Sequence, residues 1–408
     1  MAAKSTASTD GPLTLHFQDM TRVAGETMQG RVDLNVQLAQ EDNLEHVRIR
    51  FRGVIQAMIT TEMGNTTGLH RETIVLFHTK FPLWQQGTSS APGSRLVSLP
   101  FEITLPSDLP PSFHCKGNNS YTTVIYSIEV VGERPGFFRG DRHIWRAISV
   151  VPAATQSDLL VKESLRQSWN GKWKTYAQEE KLRKGIWGDY SHVRVKLTMP
   201  DLPSFPIATP IPFSFYVETD TKPMHQSDAP VGTTLFPAPP AASGVMIFLR
   251  RWVELRARRL TRQVTDESKL LGSLGDRKCV ASVRRETNAP EWMAVADKKG
   301  HGIWRRSVKF DSTVSIPYAP TFNTRIVECG YQLKFLVPYA GFGNDVKLVV
   351  PIRLNAGVGC PPPPAGVAGS SSITYADILP AGPPPPMLDL PPAYWSEDHH
   401  GWDADEKS

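Results

Sequence analysis

The stretch Leu99–Val131, LPFEITLPSDLPPSFHCKGNNSYTTVIYSIEVV, decides how the chain is read. Phe101, Ile103 and Leu105 alternate with Glu102 and Thr104, the period of a strand with one buried face. Pro106 ends ladder pairing. Pro110 and Pro111 then impose a rigid extended crossing, because proline fixes φ and donates no backbone hydrogen bond. After the turn residues Gly117, Asn118, Asn119 and Ser120, alternation resumes with Val124, Tyr126, Ile128 and Val130 on one face. Two such strands around a proline crossing predict antiparallel sheet.

The same period recurs on both sides. Leu13, Leu15 and Phe17 mark a first strand, and Val32, Leu34, Val36 and Leu38 a second that runs to Leu38. Val47, Ile49 and Phe51 form the inner face of a third, with Arg48, Arg50 and Arg52 outside. Residues 85–96 read as a polar loop, and Arg142–Val151 closes a first domain. From Ser157 to Gly185, Leu159, Leu160, Leu165, Trp169, Trp173 and Leu182 lie among charges without clean alternation. That predicts a connector with a short helix capped near Ser157 or Asp158. Strand patterns return at Val193, Val195 and Leu197, then at Phe213, Phe215 and Val217. A proline-rich loop over 223–243 precedes Val245, Ile247, Leu249, Val253 and Leu255. Tyr331, Leu333, Phe335 and Val337, then Val346, Leu348, Val350, Ile352 and Leu354, close a second domain. Frequent strands punctuated by Gly, Pro and Asn, with few helical runs, predict an all-β fold of two tandem immunoglobulin-like antiparallel β-sandwiches.

At 408 residues the chain is long enough for two domains, each able to bury a core. Past Gly357 the sequence cannot build one. Pro361–Pro364, Pro383–Pro386 and Pro391–Pro392 favour polyproline II, and the remainder is Gly, Ser, Ala and acid, which predicts a disordered tail. Cys115, Cys279, Cys329 and Cys360 show no C-x-x-C and no regular spacing, so they read as reduced thiols. The polar start MAAKSTASTDGP carries no secretory signal, and no run approaches 18 apolar residues. A cytoplasmic setting follows, in which the sequons at Asn65 and Asn118 stay unused. Residues 357–408 hold seven acids and one base, a net of −6. With a whole-chain charge of +5, the first 356 residues carry +11. A basic body points to anionic partners such as phosphorylated tails or lipid headgroups, or else to a surface with its charge merely spread.

The order of motifs carries a resemblance. A strand with P-F-x-x-x-L-P (Pro100–Pro106), then L-P-P-S-F (Leu109–Phe113), then Y-S-I-E-V (Tyr126–Val130), resembles the amino-terminal domain of arrestins of the α-arrestin, or arrestin-related trafficking adaptor, family, fungal type. RVAGETMQGRVDLNVQL (Arg22–Leu38) is similar to that family's early G-E/D-x-x-x-G-x-V-x-L hairpin, and VRIRFRGV (Val47–Val54) to its next strand. The closing pair YQLKFLVPY…VKLVVPIRL is similar, less distinctively, to the end of the family's carboxy-terminal domain. The resemblance covers about residues 12–356. It implies an arrestin-like domain over 12–151, a connector over 152–187 and a second arrestin-like domain over 188–356, ahead of the tail at 357–408. No charged core like the latch of receptor-binding arrestins is recognisable, so no activation switch is carried over.

The sharpest motif is Leu390-Pro391-Pro392-Ala393-Tyr394-Trp395, a P-P-x-Y. Paired prolines preset an extended helix that fits an aromatic groove, and Tyr394 fills the adjoining pocket, which is how WW domains read a peptide. In the family that the chain resembles, such motifs recruit HECT-type ubiquitin ligases through their WW domains. Many members carry two or more, whereas this tail has one, so bivalent binding within it is not available. The resemblance thus implies a non-enzymatic adaptor. It would bind the cytoplasmic tails of membrane transporters or receptors and bring the ligase for ubiquitin-dependent endocytosis and sorting, with recruitment to the plasma membrane or endosomes. The alternative is an arrestin-fold scaffold or retromer-like sorting subunit that engages no ligase.

Two basic sets are candidate contacts for anionic lipid or phosphate. Arg250, Arg256 and Arg258 read as one outer strand face with Trp252, and Arg48, Arg50 and Arg52 as another. Either is equally a solvated strand face. Basic residues interleaved with a strand pattern, without a nucleic-acid motif, exclude nucleic acid as the expected partner. The chain lacks G-x-S-x-G, H-E-x-x-H, G-x-x-x-x-G-K-[ST] and G-x-G-x-x-G, so no enzyme, cofactor or metal site is expected. Gly341-Phe342-Gly343 reads as a hairpin turn, and His399-His400 as part of the acidic tail.

Overall fold

The computed structural model describes residues 5–63, 66–87, 95–136, 140–183, 190–228, 240–274, 283–294, 300–340 and 343–362. The first half runs β1 (Ser5–Asp10), β2 (Leu13–Gln18), β3 (Arg22–Val23), β4 (Thr27–Asn35), α1 (Val36–Glu41), β5 (His46–Met63), β6 (Thr66–Gln85), β7 (Leu96–Thr104), β8 (Phe113–Gly117), β9 (Ser120–Glu133), β10 (Arg142–Ile148) and β11 (Val150–Val151). One antiparallel sheet has the order β1-β2-β4-β7; the other has β10-β9-β5-β6, with β8 on β9. Alternation places Leu13, Leu15, Val32, Leu34, Phe101 and Ile103 of the first sheet in one core with Ile49, Phe51, Val124, Tyr126, Ile128 and Val130 of the second. The quoted stretch is therefore central to a sandwich. Its proline crossing is tied to the core by Tyr126, whose buried hydroxyl donates to the Pro110 carbonyl at 2.6 Å. Gly30 opposes Phe101 on the neighbouring strand, and a Cβ there would lie 2.4 Å from the ring. Only glycine lets that ring cover the sheet.

The strand expected to continue to Leu38 instead stops at Asn35. The Asn35 side chain accepts from the Leu38 N–H at 3.2 Å and caps α1, so Ala39 is buried and Leu38 is 42% exposed. An asparagine oxygen competes with ladder hydrogen bonds, and two apolar residues beyond it were too few to show the change of period. The β1 strand at the start of this half, polar but for Ala7, was not anticipated.

The second half runs α2 (Gln156–Gln167), β12 (Trp173–Arg183), β13 (Tyr190–Pro200), β14 (Phe205–Pro206), β15 (Ile211–Thr221), β16 (Met224–His225), β17 (Met246–Ala257), β18 (Leu260–Ser273), β19 (Arg284–Ala294), β20 (His301–Val314), β21 (Phe322–Asn323), β22 (Val327–Val337), β23 (Val346–Ile352) and β24 (Leu354–Asn355). Its sheets have the orders β12-β13-β15-β20-β16, with β19 also on β20, and β18-β17-β22-β21, with β23 on β22. Phe215 and Phe335 stack across the core at 4.9 Å, and Phe213 meets Phe335 edge-on at 5.5 Å. Each such fully buried side chain contributes roughly 1.5–3 kcal/mol.

The connector expected over 152–187 divides in two. Helix α2 is capped at Thr155, two residues before the nearer of the expected caps Ser157 and Asp158, in a capping box: Thr155 Oγ1 accepts from the Asp158 N–H, and the Asp158 carboxylate accepts from the Thr155 N–H. The remainder, β12, pairs with β13 over its whole length and belongs to the second sandwich. It showed no alternation because it is an edge strand with Leu182 as its one buried side chain.

Side chains of both halves belong to one apolar cluster. At the junction Phe113 meets Phe322 edge-on at 5.0 Å, and the Arg251 guanidinium lies 5.3 Å from the centre of the Phe113 ring. Two short parallel pairs lie outside the main sheets, β3 with β11 in the first half and β14 with β24 in the second. No described helix is long and apolar enough to cross a membrane.

Candidate functional site

Pro391, Pro392 and Tyr394 lie outside the described residues, as do all of residues 363–408, His399-His400 among them, and Gly341-Phe342. What is described is where the tail leaves the body. After β24 the chain passes back to the first sandwich as a strap, residues 356–360. Gly357 turns at φ +59, its carbonyl accepts from Lys162 Nζ at 2.6 Å, and the Val358 carbonyl accepts from the Ala154 N–H at 2.8 Å. Burial, then the Arg166 charge, lowers the Lys162 pKa. Ala356 packs with Val23 and Val151 in a small core of its own. Cys360 lies against Gly25, and partial burial, then Glu26, raises its thiol pKa. The tail therefore starts beside the first sandwich, next to the buried Arg22–Glu26 ion pair (2.8 Å).

The arginines of β5 do point outward, but toward carboxylates on the neighbouring strand. Arg48 pairs with Glu133, and Arg50 lies 3.6 Å from Glu129. Burial pushes the Glu129 pKa up. The hydrogen bond with His143 at 2.8 Å, with the charges of Arg50 and Arg52, outweighs this and holds it below the usual carboxylate range. This set is a cross-strand ladder first and an anion site only with the charge left over.

On β17, Arg250 and Arg256 share the outward face with Trp252, as the pattern predicted, but Arg256 is engaged by Glu254 at 2.7 Å. Arg258 does not share that face. The strand ends at Ala257, and Arg258 occupies the turn to β18 at φ +56. Alternation could not reveal the turn because it is made of arginines, with no Gly, Pro or Asn to mark it. Its backbone N–H donates to Glu72 of β6 at 2.6 Å, and Glu72 also receives Arg325 at 2.9 Å. Arg262 donates to the carbonyls of Asn118 and Asn119 at 3.0 and 3.2 Å. The cationic hairpin is thus part of the junction between sandwiches, with Arg250 and Arg259 left exposed.

Sequence reading missed a charge ladder across four strands of the second sandwich. Glu179 on β12 accepts a forked pair from Arg194 on β13, whose other arm reaches Glu218 on β15 at 2.9 Å. Arg305 on β20 reaches Glu218 at 3.4 Å and grips Asp220 at 2.7 and 2.8 Å. The Arg194 hydrogen bond lowers the Glu179 pKa, and the Asp220 hydrogen bond raises that of Arg305. Its signal was present as complementary charges at period two, His192-Arg194-Lys196 against Glu218-Asp220. Glu179, Arg194, Glu218, Asp220 and Arg305 each have an oppositely charged partner, so the ladder fixes strand register, and Lys196 at its end lies over the Tyr216 ring. Cys115 and Cys329 are buried free thiols, and no three metal-ligating side chains meet among the described residues.

The chain matches no protein-family model, and no curated protein matches it.

Proposed function

We propose that the chain is an arrestin-type adaptor: the two sandwiches hold the cytoplasmic part of a membrane protein, and Pro391, Pro392 and Tyr394 recruit a WW-domain HECT-type ubiquitin ligase. The observation that carries this reading is a single P-P-x-Y motif 29 residues beyond Pro362, the last described residue, on a body of two tandem β-sandwiches. Twenty-nine residues can reach at most roughly 100 Å, so the chain is long enough to present a ligase close to cargo held on the body. Arg250 and Arg259, exposed on and beyond β17, would add attraction to the anionic face of a membrane at the plasma membrane or endosomes.

The test is capture of the full chain by a panel of HECT-ligase WW domains. One P-P-x-Y supports a dissociation constant on the order of micromolar, with the tyrosine pocket supplying much of it. Tyr394→Ala should abolish capture and leave the melting of both sandwiches unchanged, because the residues of the described core end at Leu354. In cells the variant should still bind cargo, which then stays unmodified. Capture of Tyr394→Ala as strong as the parent's removes the ligase and leaves the sorting-scaffold reading.

A further inference from the structure

We propose that the outer edge of β6, between Leu69 and Val75, is a docking site for an extended acidic peptide that adds to the sheet as a further strand. Strand β6 pairs with β5 alone among the described residues, so its far side presents unpaired backbone groups. Four other edges are blunted. Strand β7 carries Pro100, β23 carries Pro351, and β19 carries Pro290 with a break in register. Strand β12 presents Glu179, Glu180 and Lys181. The β6 sequence Thr67–Val75, TGLHRETIV, has neither proline nor lysine, and Leu69 and Val75 are 59% and 49% exposed.

The two faces of this edge differ. His70, Glu72 and Ile74 lie on the side where Glu72 holds Arg325 and the Arg258 N–H of the second sandwich. Leu69, Arg71, Thr73 and Val75 lie on the other, opposite Thr60, Met58, Gln56 and Val54 of β5. Arg71 is steadied there. With the Gln56 amide turned so that its oxygen faces the guanidinium, that oxygen accepts from Arg71 Nε at 2.7 Å and Nη2 at 2.9 Å. Beyond a bulge, the same outward row continues with His78 and Lys80, beside Arg52 and Arg50. From Leu69 to Lys80 that row contains cations and no acid. Charge therefore selects the occupant: a strand with apolar residues opposite Leu69 and Val75, and an acid opposite Arg71. Seven residues at strand rise cover the roughly 20 Å involved.

The experiment measures anisotropy of a labelled seven-residue probe on the full chain. The probe has aliphatic ends, threonine third, glutamate fifth and serine elsewhere, the order that antiparallel addition requires. Binding is expected, and N-methylation of alternate probe amides should abolish it by removing main-chain donors. Arg71→Glu should weaken binding roughly tenfold and restore it for a probe with lysine in place of glutamate. Leu69→Lys should also weaken it. All these side chains are exposed, so melting temperature serves as a check that both variants are folded. No binding, equal binding of the N-methylated probe, or indifference to Arg71→Glu overturns the proposal. So does a Leu69→Lys variant that loses only adsorption to phosphatidylserine vesicles, which would make this edge a lipid contact. No WW domain enters the measurement, so its outcome is separate from that of the Tyr394→Ala test.

Discussion

At the scale of single residues, burial and charge pairing give the clearest consequences. Ile128 is fully buried between the sheets of the first sandwich. Ile128→Asp places an unpaired charge there at a cost of several kcal/mol, enough to unfold that sandwich, which circular dichroism melting would report. A parent-like melt would mean that the face of β9 was misassigned. Glu129, on the opposite face of the same strand, gives a pH effect of definite sign. Its folded-state pKa is lowered, so its stabilisation is fully present above the unfolded carboxylate value, about 4.3. It is lost as pH falls below that value through the folded one. The parent's melting temperature should therefore fall more steeply below about pH 5 than that of Glu129→Gln, and parallel curves would remove the linkage. Ile128 was legible in the sequence because burial follows from period. The partners of Glu129 were not, because Arg50 and His143 reach it through strand register that no local pattern states.

Elements were legible where one face is buried and the other is not. Strands β2, β9, β13 and β22 form where their patterns said, whereas β5 runs on past Val54 to Met63 through Gly53–Ala57, all buried, where alternation fails. Strand β12 did not announce itself because an exposed edge has no apolar side to alternate. Helix α2 was anticipated but its cap misplaced, since Thr155, Ser157 and Asp158 are all competent caps, and the geometry that selects Thr155 depends on the chain's entry from β11. Replacing Thr155 by Ala should cost about 1 kcal/mol, the usual worth of such a cap. Because Lys162 on this helix holds the strap, the same change should speed hydrogen exchange over residues 354–358 as well as over α2. Faster exchange in α2 alone would show that the helix and the strap are energetically separate.

For the whole molecule, sequence patterns described two cores and gave no sign of how they join. Phe113 and Phe322 meet each other across the junction, and nothing in their local sequence marks the contact. Glu72, Arg325 and Arg262 bridge the sandwiches, although no local pattern sets them apart from other charged positions. An apolar or charged position has the same local pattern whether it faces its own sheet, solvent or another domain. The strap is the test of how strongly these contacts couple the halves. Ala356 is 3% exposed in a core of three buried residues separate from either sandwich interior. Ala356→Asp should therefore expel the strap without opening either main core, since neither loses a contact of its own. The contacts that remain include the Phe113–Phe322 pair, the Arg251 guanidinium on the Phe113 ring, the Glu72–Arg325 ion pair and a few hydrogen bonds to exposed side chains, the polar ones each contributing about 1 kcal/mol or less. We expect calorimetry of the parent to show one transition, and that of Ala356→Asp to split into two, with limited proteolysis newly cutting within residues 357–362. If the variant still melts in a single step with its strap resistant to protease, the junction side chains hold the sandwiches together by themselves, and the strap only carries the chain toward its tail.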